Sequence, residues 1–190
     1  MRYSVIIPIY DPEGKNDLLT SECLLSIIKN SSEKEYEIIP VYHTNLNYST
    51  AVNKGIKRAS GDYLVICSND VIIHDKKWLE KYSSLDGIAS FRQYPFYLTQ
   101  ELIPDASCWG MSRETFNKVG LLDERFKDGY GYEDNDYWMR CNDLGVPMLD
   151  AHADVIHKEN QTYQAYFSKE KEEMMQKNKQ LFIQKWSHKL

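Results

Sequence analysis

The chain has 190 residues, 42% of them hydrophobic and 27% charged, the balance of a soluble globular protein of about one domain. A formal net charge of −5 leaves no basic face for a phosphate backbone, which argues against nucleic-acid binding but not against a diphosphate neutralised by a divalent cation. No apolar stretch reaches the roughly 18 to 20 residues of a membrane span, and Pro8 interrupts an apolar start too short for a secretory leader. A cytoplasmic location is therefore expected. The four cysteines (Cys23, Cys67, Cys108 and Cys141) form no C-x-x-C pair and read as reduced, buried thiols.

The β-branched run over 3–9 reads as a fully buried strand, broken by Asp11-Pro12-Glu13-Gly14. Residues 18–29 carry Leu18, Leu24, Leu25 and Ile28 at helical spacing and predict a helix. A second apolar strand over 36–42 follows. Ala51, Val52, Ile56 and Ala59 then place a helix over 49–58, closed by Gly61, before a third strand over 62–67. This βαβαβ order implies an α/β fold with a parallel sheet covered on both faces.

Past Asp70 the pattern predicts a short helix over 78–83, a strand over 87–92, a Pro- and aromatic-rich loop over 95–104 and a strand over 107–111. Helices follow over 113–119 and 134–144, the second with a stripe of Tyr137, Trp138, Cys141 and Leu144 and a stop at Gly145. A last strand is expected over 147–156. The final helix, over 169–189, interleaves Met174, Met175, Leu181, Phe182 and Trp186 with mixed charges, which favours packing on the domain or a partner, a second copy included, over a membrane surface.

No G-x-G-x-x-G follows the first strand and no G-x-x-x-x-G-K-[ST] occurs, so the dinucleotide and P-loop readings lack their main residues. Tyr10 reads either as a rim tyrosine or as a platform for a nucleobase. Ser68-Asn69-Asp70 ends the third strand, where open α/β sheets place ligands. A hard divalent ion on a diphosphate needs only one or two carboxylates there. Asp70 reads as such a ligand, or as an aspartate that starts a turn.

Capping a helix needs one carboxylate, yet Glu133, Asp134 and Asp136 cluster behind Gly129-Tyr130-Gly131-Tyr132, which points to a site. A helix start would also favour the ionised form that a general base needs. His157, at a predicted strand end, is either a further metal ligand or a packing residue. His43, His74, His152 and His188 show no partner in the sequence.

Taken in order, Val5-Ile6-Ile7-Pro8-Ile9-Tyr10, Ala51-Val52-Asn53-Lys54-Gly55-Ile56, Ala59-Ser60-Gly61-Asp62-Tyr63, Ser68-Asn69-Asp70, Gly110-Met111-Ser112-Arg113, Val119-Gly120-Leu121-Leu122-Asp123-Glu124-Arg125-Phe126 and Tyr132-Glu133-Asp134-Asn135-Asp136 with Arg140 carry a resemblance. Together they resemble the inverting nucleotide-sugar glycosyltransferases of the GT-A fold, family 2 in particular, from Val5 to about His157.

The resemblance implies a Rossmann-like, mostly parallel central sheet with helices on both faces, in a single domain. Residues 1–70 would form its nucleotide-sugar half, 71–160 its acceptor and catalytic half, and 161–190 a C-terminal helix. Pro8, Tyr10, Asp11, Asn45, Asn53, Asn69 and Asp70 would bind the nucleotide-diphosphate sugar. Asp70, with His157, would hold Mn2+ or Mg2+. Asp134 would be the catalytic base, aided by Glu133, and Trp109, Gly110 and Glu133 would meet a carbohydrate-type acceptor. The implied reaction is hexosyl transfer with inversion.

Three positions depart from the family pattern. Val41-Tyr42-His43-Thr44-Asn45 lacks the usual aspartate after the second strand, Ser-Asn-Asp reduces the D-x-D motif, and Val52 stands where an arginine is common. They leave two alternatives open: a non-catalytic nucleotide-sugar or glycan-binding module, and a nucleotidyltransferase on a similar sheet.

Overall fold

A computed structural model describes residues 1–43, 47–126, 131–159, 161–166 and 171–190. The first half runs β1 (Tyr3–Ile9), α1 (Asp17–Ser31), β2 (Tyr36–Tyr42), α2 (Tyr48–Arg58), β3 (Tyr63–Cys67), β4 (Val71–Ile73), α3 (Trp78–Ser83) and β5 (Ile88–Ser90). The rest comprises β6 (Gln93–Pro95), β7 (Leu102–Pro104), β8 (Cys108–Ser112), α4 (Arg113–Val119) and α5 (Glu133–Asp143). It ends with β9 (Met148–Asp150), β10 (Val155–His157), α6 (Gln161–Tyr166) and α7 (Lys171–Trp186).

Six strands form one sheet in the order β2-β1-β3-β8-β5-β9. The β1–β2, β1–β3 and β5–β9 pairings are parallel, whereas β8 runs antiparallel to both its neighbours. The expected mixed α/β architecture with a mostly parallel sheet is what the chain forms. All seven residues of β1 are buried, and alternate side chains feed two cores. Val5, Ile7 and Ile9 join α1 and α3, while Ile6 joins α2, α5 and α7.

Two segments differ from the periodicity. The span 147–156 splits into β9, in the main sheet, and β10, which pairs antiparallel with the unforeseen β4. His152, at φ 49°, turns the chain between them. The expected loop over 95–104 is loop over 96–101, where it connects the unforeseen hairpin of β6 and β7.

In α1 the predicted stripe is on the wrong side. Leu18 and Leu25 are 74% and 65% exposed, and the buried face is Thr20, Cys23, Ser26, Ile27, Asn30 and Ser31. That polar face is tolerated because its groups are hydrogen-bonded. Asn30 Nδ2 donates to the Ile73 carbonyl at 2.8 Å, Ser26 Oγ accepts the Ile73 N–H at 3.0 Å, and Ser31 Oγ accepts from Trp78 Nε1 at 3.0 Å.

Two glycines are fixed by close approach. A Cβ on Gly55 would lie 2.2 Å from Ile6 Cγ2, so α2 can sit on β1 only without one. Gly61 was expected to close α2, but the cap is Ala59. A Cβ on Gly61 would stand 2.8 Å from the Ser4 backbone nitrogen, and this contact is what its position requires.

The last helix packs on the domain. Phe182 lies between Phe96 and Tyr132, with ring centroids 5.7 and 5.4 Å away, and Trp186 is buried in the same core. Asp136 on α5, fully buried, accepts from Trp186 Nε1 at 2.9 Å and pairs with Lys185 at 2.6 Å and Arg140 at 3.2 Å. The apolar face of α7, on which an association between copies was expected to rest, is therefore largely used within the chain. Among the described residues, no helix is long and apolar enough to cross a membrane.

Gly55→Ala should lower unfolding stability by about 1 to 3 kcal/mol in urea titration, the cost of overpacking outweighing the better helix propensity of alanine. Asp136→Ala takes the carboxylate from Arg140 and the acceptor from the buried Trp186 N–H, leaving Lys185 with Asp123 alone, and should cost about 3 kcal/mol or more. Asp143→Ala, which breaks an exposed pair with Lys189, should cost less than about 1 kcal/mol by the same measurement.

Candidate functional site

The ends of several elements converge on a pocket of about 660 Å³. Pro8 and Tyr10 come from the end of β1, Ser68, Asn69 and Asp70 from the end of β3, and Tyr48 from the start of α2. Arg92 and Gln93 follow β5, Asp105 to Ser107 precede β8, Glu133 and Asp134 open α5, and His157 ends β10. This is the crevice at the carboxyl ends of the parallel strands.

The β4–β10 pairing sets Val71 opposite His157 and so brings His157 beside Asp70. His157 Nε2 stands 3.3 Å from Asp70 Oδ1, and the Gln161 N–H donates to Oδ2 at 3.4 Å. Burial works against a charged imidazole, but the hydrogen bond and charge of Asp70 outweigh it, and His157 titrates above its ordinary value. Asn69 borders the pocket with its amide donating to Thr20 Oγ1 at 2.9 Å. Tyr10 packs between the rings of His43 and Tyr166, each 5.5 Å away, as part of an aromatic wall.

The turn into α5 is unusual. Gly131 and Tyr132 adopt φ of 72° and 70°, the second in a left-handed conformation that costs a bulky residue about 1 kcal/mol or more. It is held from several sides. Asn178 Nδ2 of α7 donates to the Gly131 carbonyl at 2.8 Å, the Tyr132 hydroxyl meets that of Tyr97, and the Tyr132 ring lies against Phe182.

The next two residues are Glu133 and Asp134, both half-buried in the wall. Asp134 Oδ1 accepts the Asn135 N–H at 2.8 Å. Desolvation pushes Glu133 well above the usual carboxylate range, and the adjacent Asp134 charge adds to it. Asp134 is raised for the same reason, with Asp105 contributing, and less far. The ionising influence expected of the helix start is outweighed by loss of water and by like charge.

Tyr48 also faces this corner. Its hydroxyl is buried and makes no hydrogen bond with the described residues. Burial and the Glu133 charge raise it far above its ordinary value, while the Trp109 side chain acts in the opposite sense. On the opposite wall Asp105 is tied down by Arg92 Nε at 2.7 Å and the Ser107 N–H at 2.9 Å, and Arg92 reaches Glu159 at 3.3 Å.

Of the residues singled out from the sequence, Pro8, Tyr10, Asn69, Asp70, Glu133, Asp134 and His157 are brought together here. Four others are not among the pocket's lining residues. Asp11 accepts the Asn16 N–H at 3.1 Å and the Tyr166 hydroxyl. Asn53 is a buried clamp that accepts the Leu122 N–H at 3.0 Å and donates to the Leu122 carbonyl and to Glu124. Trp109 packs against Trp138 and Tyr137, at 4.9 and 5.2 Å between rings. Gly110 passes so close to β3 that a Cβ would lie 2.8 Å from the Leu64 carbonyl. Asn45 lies outside the described residues, as do Gly129 and Tyr130.

Sequence reasoning passed over Tyr48, Arg92, Gln93, Tyr94, Asp105 and Glu159, all in the wall. The Asp105-Ala106-Ser107 turn was the one local signal available, since an aspartate bonding two residues ahead just before a strand is a recognisable pattern.

A sequence model described as glycosyl transferase family 2 matches residues 24–84. No curated protein matches the chain. Among solved structures, the catalytic domain of Drosophila beta-1,4-galactosyltransferase 7 in complex with xylobiose is similar at a TM-score of 0.65 and 17% identity, over 85% of this chain and 72% of that one. A mutant of that enzyme with manganese, UDP-Gal and xylobiose gives 0.63 and 16%, over 86% and 73%. The mannosyltransferase of Pyrobaculum calidifontis, in complex with GDP-Man and Mn2+, gives 0.58 and 15%, over 78% of this chain and 54% of that one. At these identities the likeness speaks for the fold, and with the partial family match it gives this chain a family 2-like GT-A fold.

Proposed function

We propose that this chain is a metal-dependent, inverting glycosyltransferase that moves a hexosyl group from a nucleotide-diphosphate sugar to a carbohydrate hydroxyl. One observation carries the reading. The Asp70–His157 pair and the Glu133–Asp134 pair, far apart in sequence, line one pocket at the strand ends. Similar folds in complexes with UDP-Gal, GDP-Man and manganese support it. The family 2 match and four buried, unpaired cysteines, which suit a reducing cytoplasm, fit the same reading.

Asp70 and His157 would offer a divalent ion two donors, although among the described residues no group of three His, Cys, Asp or Glu side chains that could hold a metal occurs. Asp70 and His157 are a carboxylate and an imidazole 3.3 Å apart, a donor set that suits Mn2+ and leaves other positions to phosphate oxygens and water. Asp70, Asp105, Glu133, Asp134 and Glu159 face a single guanidinium, Arg92, among the described lining residues. A diphosphate would be repelled from such a wall without a cation. Bound there, Mn2+ or Mg2+ would offset the charge of the leaving diphosphate.

Tyr10, within its aromatic wall, would carry the base, and Pro8 and Asn69 would border the donor. Asp134 would take the proton of the acceptor hydroxyl as it attacks. A raised pKa suits that role, because a stronger base accepts the proton more readily once it is ionised. Glu133 would hold the acceptor beside it. No covalent intermediate is needed, since a single displacement inverts the anomeric carbon.

A panel of UDP-Gal, UDP-Glc, UDP-GlcNAc and GDP-Man, with xylobiose and simple glycosides as acceptors, tests the reading by product formation with and without Mn2+. No transfer and no donor hydrolysis in any combination would remove it.

Asp134→Asn should cut transfer about 10²- to 10⁴-fold while leaving nucleotide binding nearly unchanged. Greater damage from Glu133→Gln, with folding intact by circular dichroism, would move the base to the neighbour. The sign of the pH dependence follows from the raised carboxylates. The base works only when deprotonated, so transfer should rise with pH through a midpoint above the ordinary carboxylate range of about 4 to 4.5. Glu133→Gln should leave that midpoint nearly in place, because Glu133 titrates higher still and is neutral while Asp134 ionises. Asp70→Asn should abolish the metal dependence of UDP binding in calorimetry; unchanged dependence would take Asp70 off the metal.

A further inference from the structure

We propose that the Tyr48 hydroxyl anchors one hydroxyl group of the bound sugar, with the Trp109 indole N–H behind it, an inference that rests on the transferase reading of the pocket. Several buried side-chain polar atoms have no hydrogen-bond partner among the described residues, and Tyr48 Oη is the one that belongs to a pocket-lining residue. Buried polar groups are nearly always paired, and one left unmet costs the fold stability. Phenylalanine would fill the same space without that cost. A tyrosine here therefore points to a partner that arrives with the ligand.

The second observation is Trp109. Its side chain is 1% exposed, its Nε1 is also unpartnered, and it lies close enough to influence the Tyr48 hydroxyl. An indole N–H can only donate, whereas a phenol both donates and accepts. Once the sugar is bound, the Trp109 N–H serves the phenol oxygen and the Tyr48 O–H donates outward. What it meets must accept a hydrogen bond beside two carboxylates, and those carboxylates only accept when ionised. A sugar hydroxyl satisfies both sides, accepting from Tyr48 and donating to Glu133 or Asp134.

The anchor is held ready before any ligand binds. Asn47 Oδ1 caps α2 by accepting the Thr50 N–H at 2.9 Å, and its amide donates to the Glu124 carbonyl at 3.1 Å. Tyr48, the first residue of that helix, packs against the core of buried residues that includes Trp109. The ring is therefore in place before the sugar arrives, and only its buried hydroxyl has to be uncovered.

Tyr48→Phe in the full chain removes one oxygen and tests this directly. Without ligand, its thermal unfolding should stay in place or move upward, because no hydrogen bond is lost. Its kcat/KM, with the donor and acceptor the wild type uses best from the panel above, should fall about tenfold to a hundredfold. Monodeoxy analogues of each sugar then locate the anchor. The wild type should lose activity on removal of one particular hydroxyl, and the variant should be indifferent to that same change. Sensitivity on the donor sugar assigns the anchor to the donor, and on the acceptor to the acceptor. An unchanged kcat/KM, a deoxy pattern shared by both proteins, or a lowered unfolding temperature overturns the assignment while leaving the transferase reading intact. A wild type with no transfer across the whole panel removes that reading and this inference with it.

Discussion

Glu133 and Asp134 are neighbouring, half-buried carboxylates, and they repel each other. Desolvation and like charge both oppose ionisation at such a place. The start of α5 must nevertheless be held still, or the pair would swing apart into solvent. Much of the second half of the chain supplies that restraint. The paired positive-φ residues Gly131 and Tyr132 set the entry into the helix. Asn178 and Phe182 fix the turn from α7, and Asp136, one turn further on, is joined to Lys185, Trp186 and Arg140. The C-terminal helix thus serves the site without touching the pocket. Its mixed charges, which in the sequence favoured packing on the domain or a partner, include the cation that compensates a buried aspartate.

The same electrostatics governs the rest of the pocket. Carboxylates outnumber the cationic side chains of the wall, and Arg92, the one guanidinium, is already paired with Asp105 and Glu159. Left alone, such a wall attracts cations and repels phosphate. Asp70 meets this partly through His157, whose raised pKa is the other side of the same attraction. Placing a diphosphate here needs a charge the chain does not supply. The metal in the proposed reaction thus answers a local deficit as well as a family habit.

How much of this was legible in the sequence depended on the kind of signal. Strands β1 and β3 were plain, because β-branched runs bounded by turn residues leave little choice; Asp70 followed from the end of β3, and Glu133-Asp134 from an acidic cluster larger than a helix cap needs. The stripe of α1 was misread because hydrophobic spacing says nothing of a face buried through hydrogen bonds. Thr20, Ser26, Asn30 and Ser31 are inside because Asn69, β4 and α3 offer them partners, and β4 itself was too short to be seen. Asn53 sat in a family motif and looked like a donor ligand. Its three hydrogen bonds to the 122–124 segment show a clamp, a role that depends on which distant segment comes alongside. Arg92 was invisible for the same reason.

Tyr48 and Trp109 show a subtler limit. An aromatic residue at the first position of an amphipathic helix packs, and so does a tryptophan within an apolar strand, although the resemblance had put Trp109 at the acceptor. Both descriptions are correct for most of their atoms. What distinguishes them is one oxygen and one nitrogen, buried and unmet while the polar face of α1 close to the other core is thoroughly hydrogen-bonded. A fold able to satisfy a whole polar helix face could satisfy one hydroxyl, by water or by a neighbouring serine. Leaving it unmet lowers the stability of the empty protein and raises that of the occupied one, and such an exchange is expected where binding is what the residue is kept for.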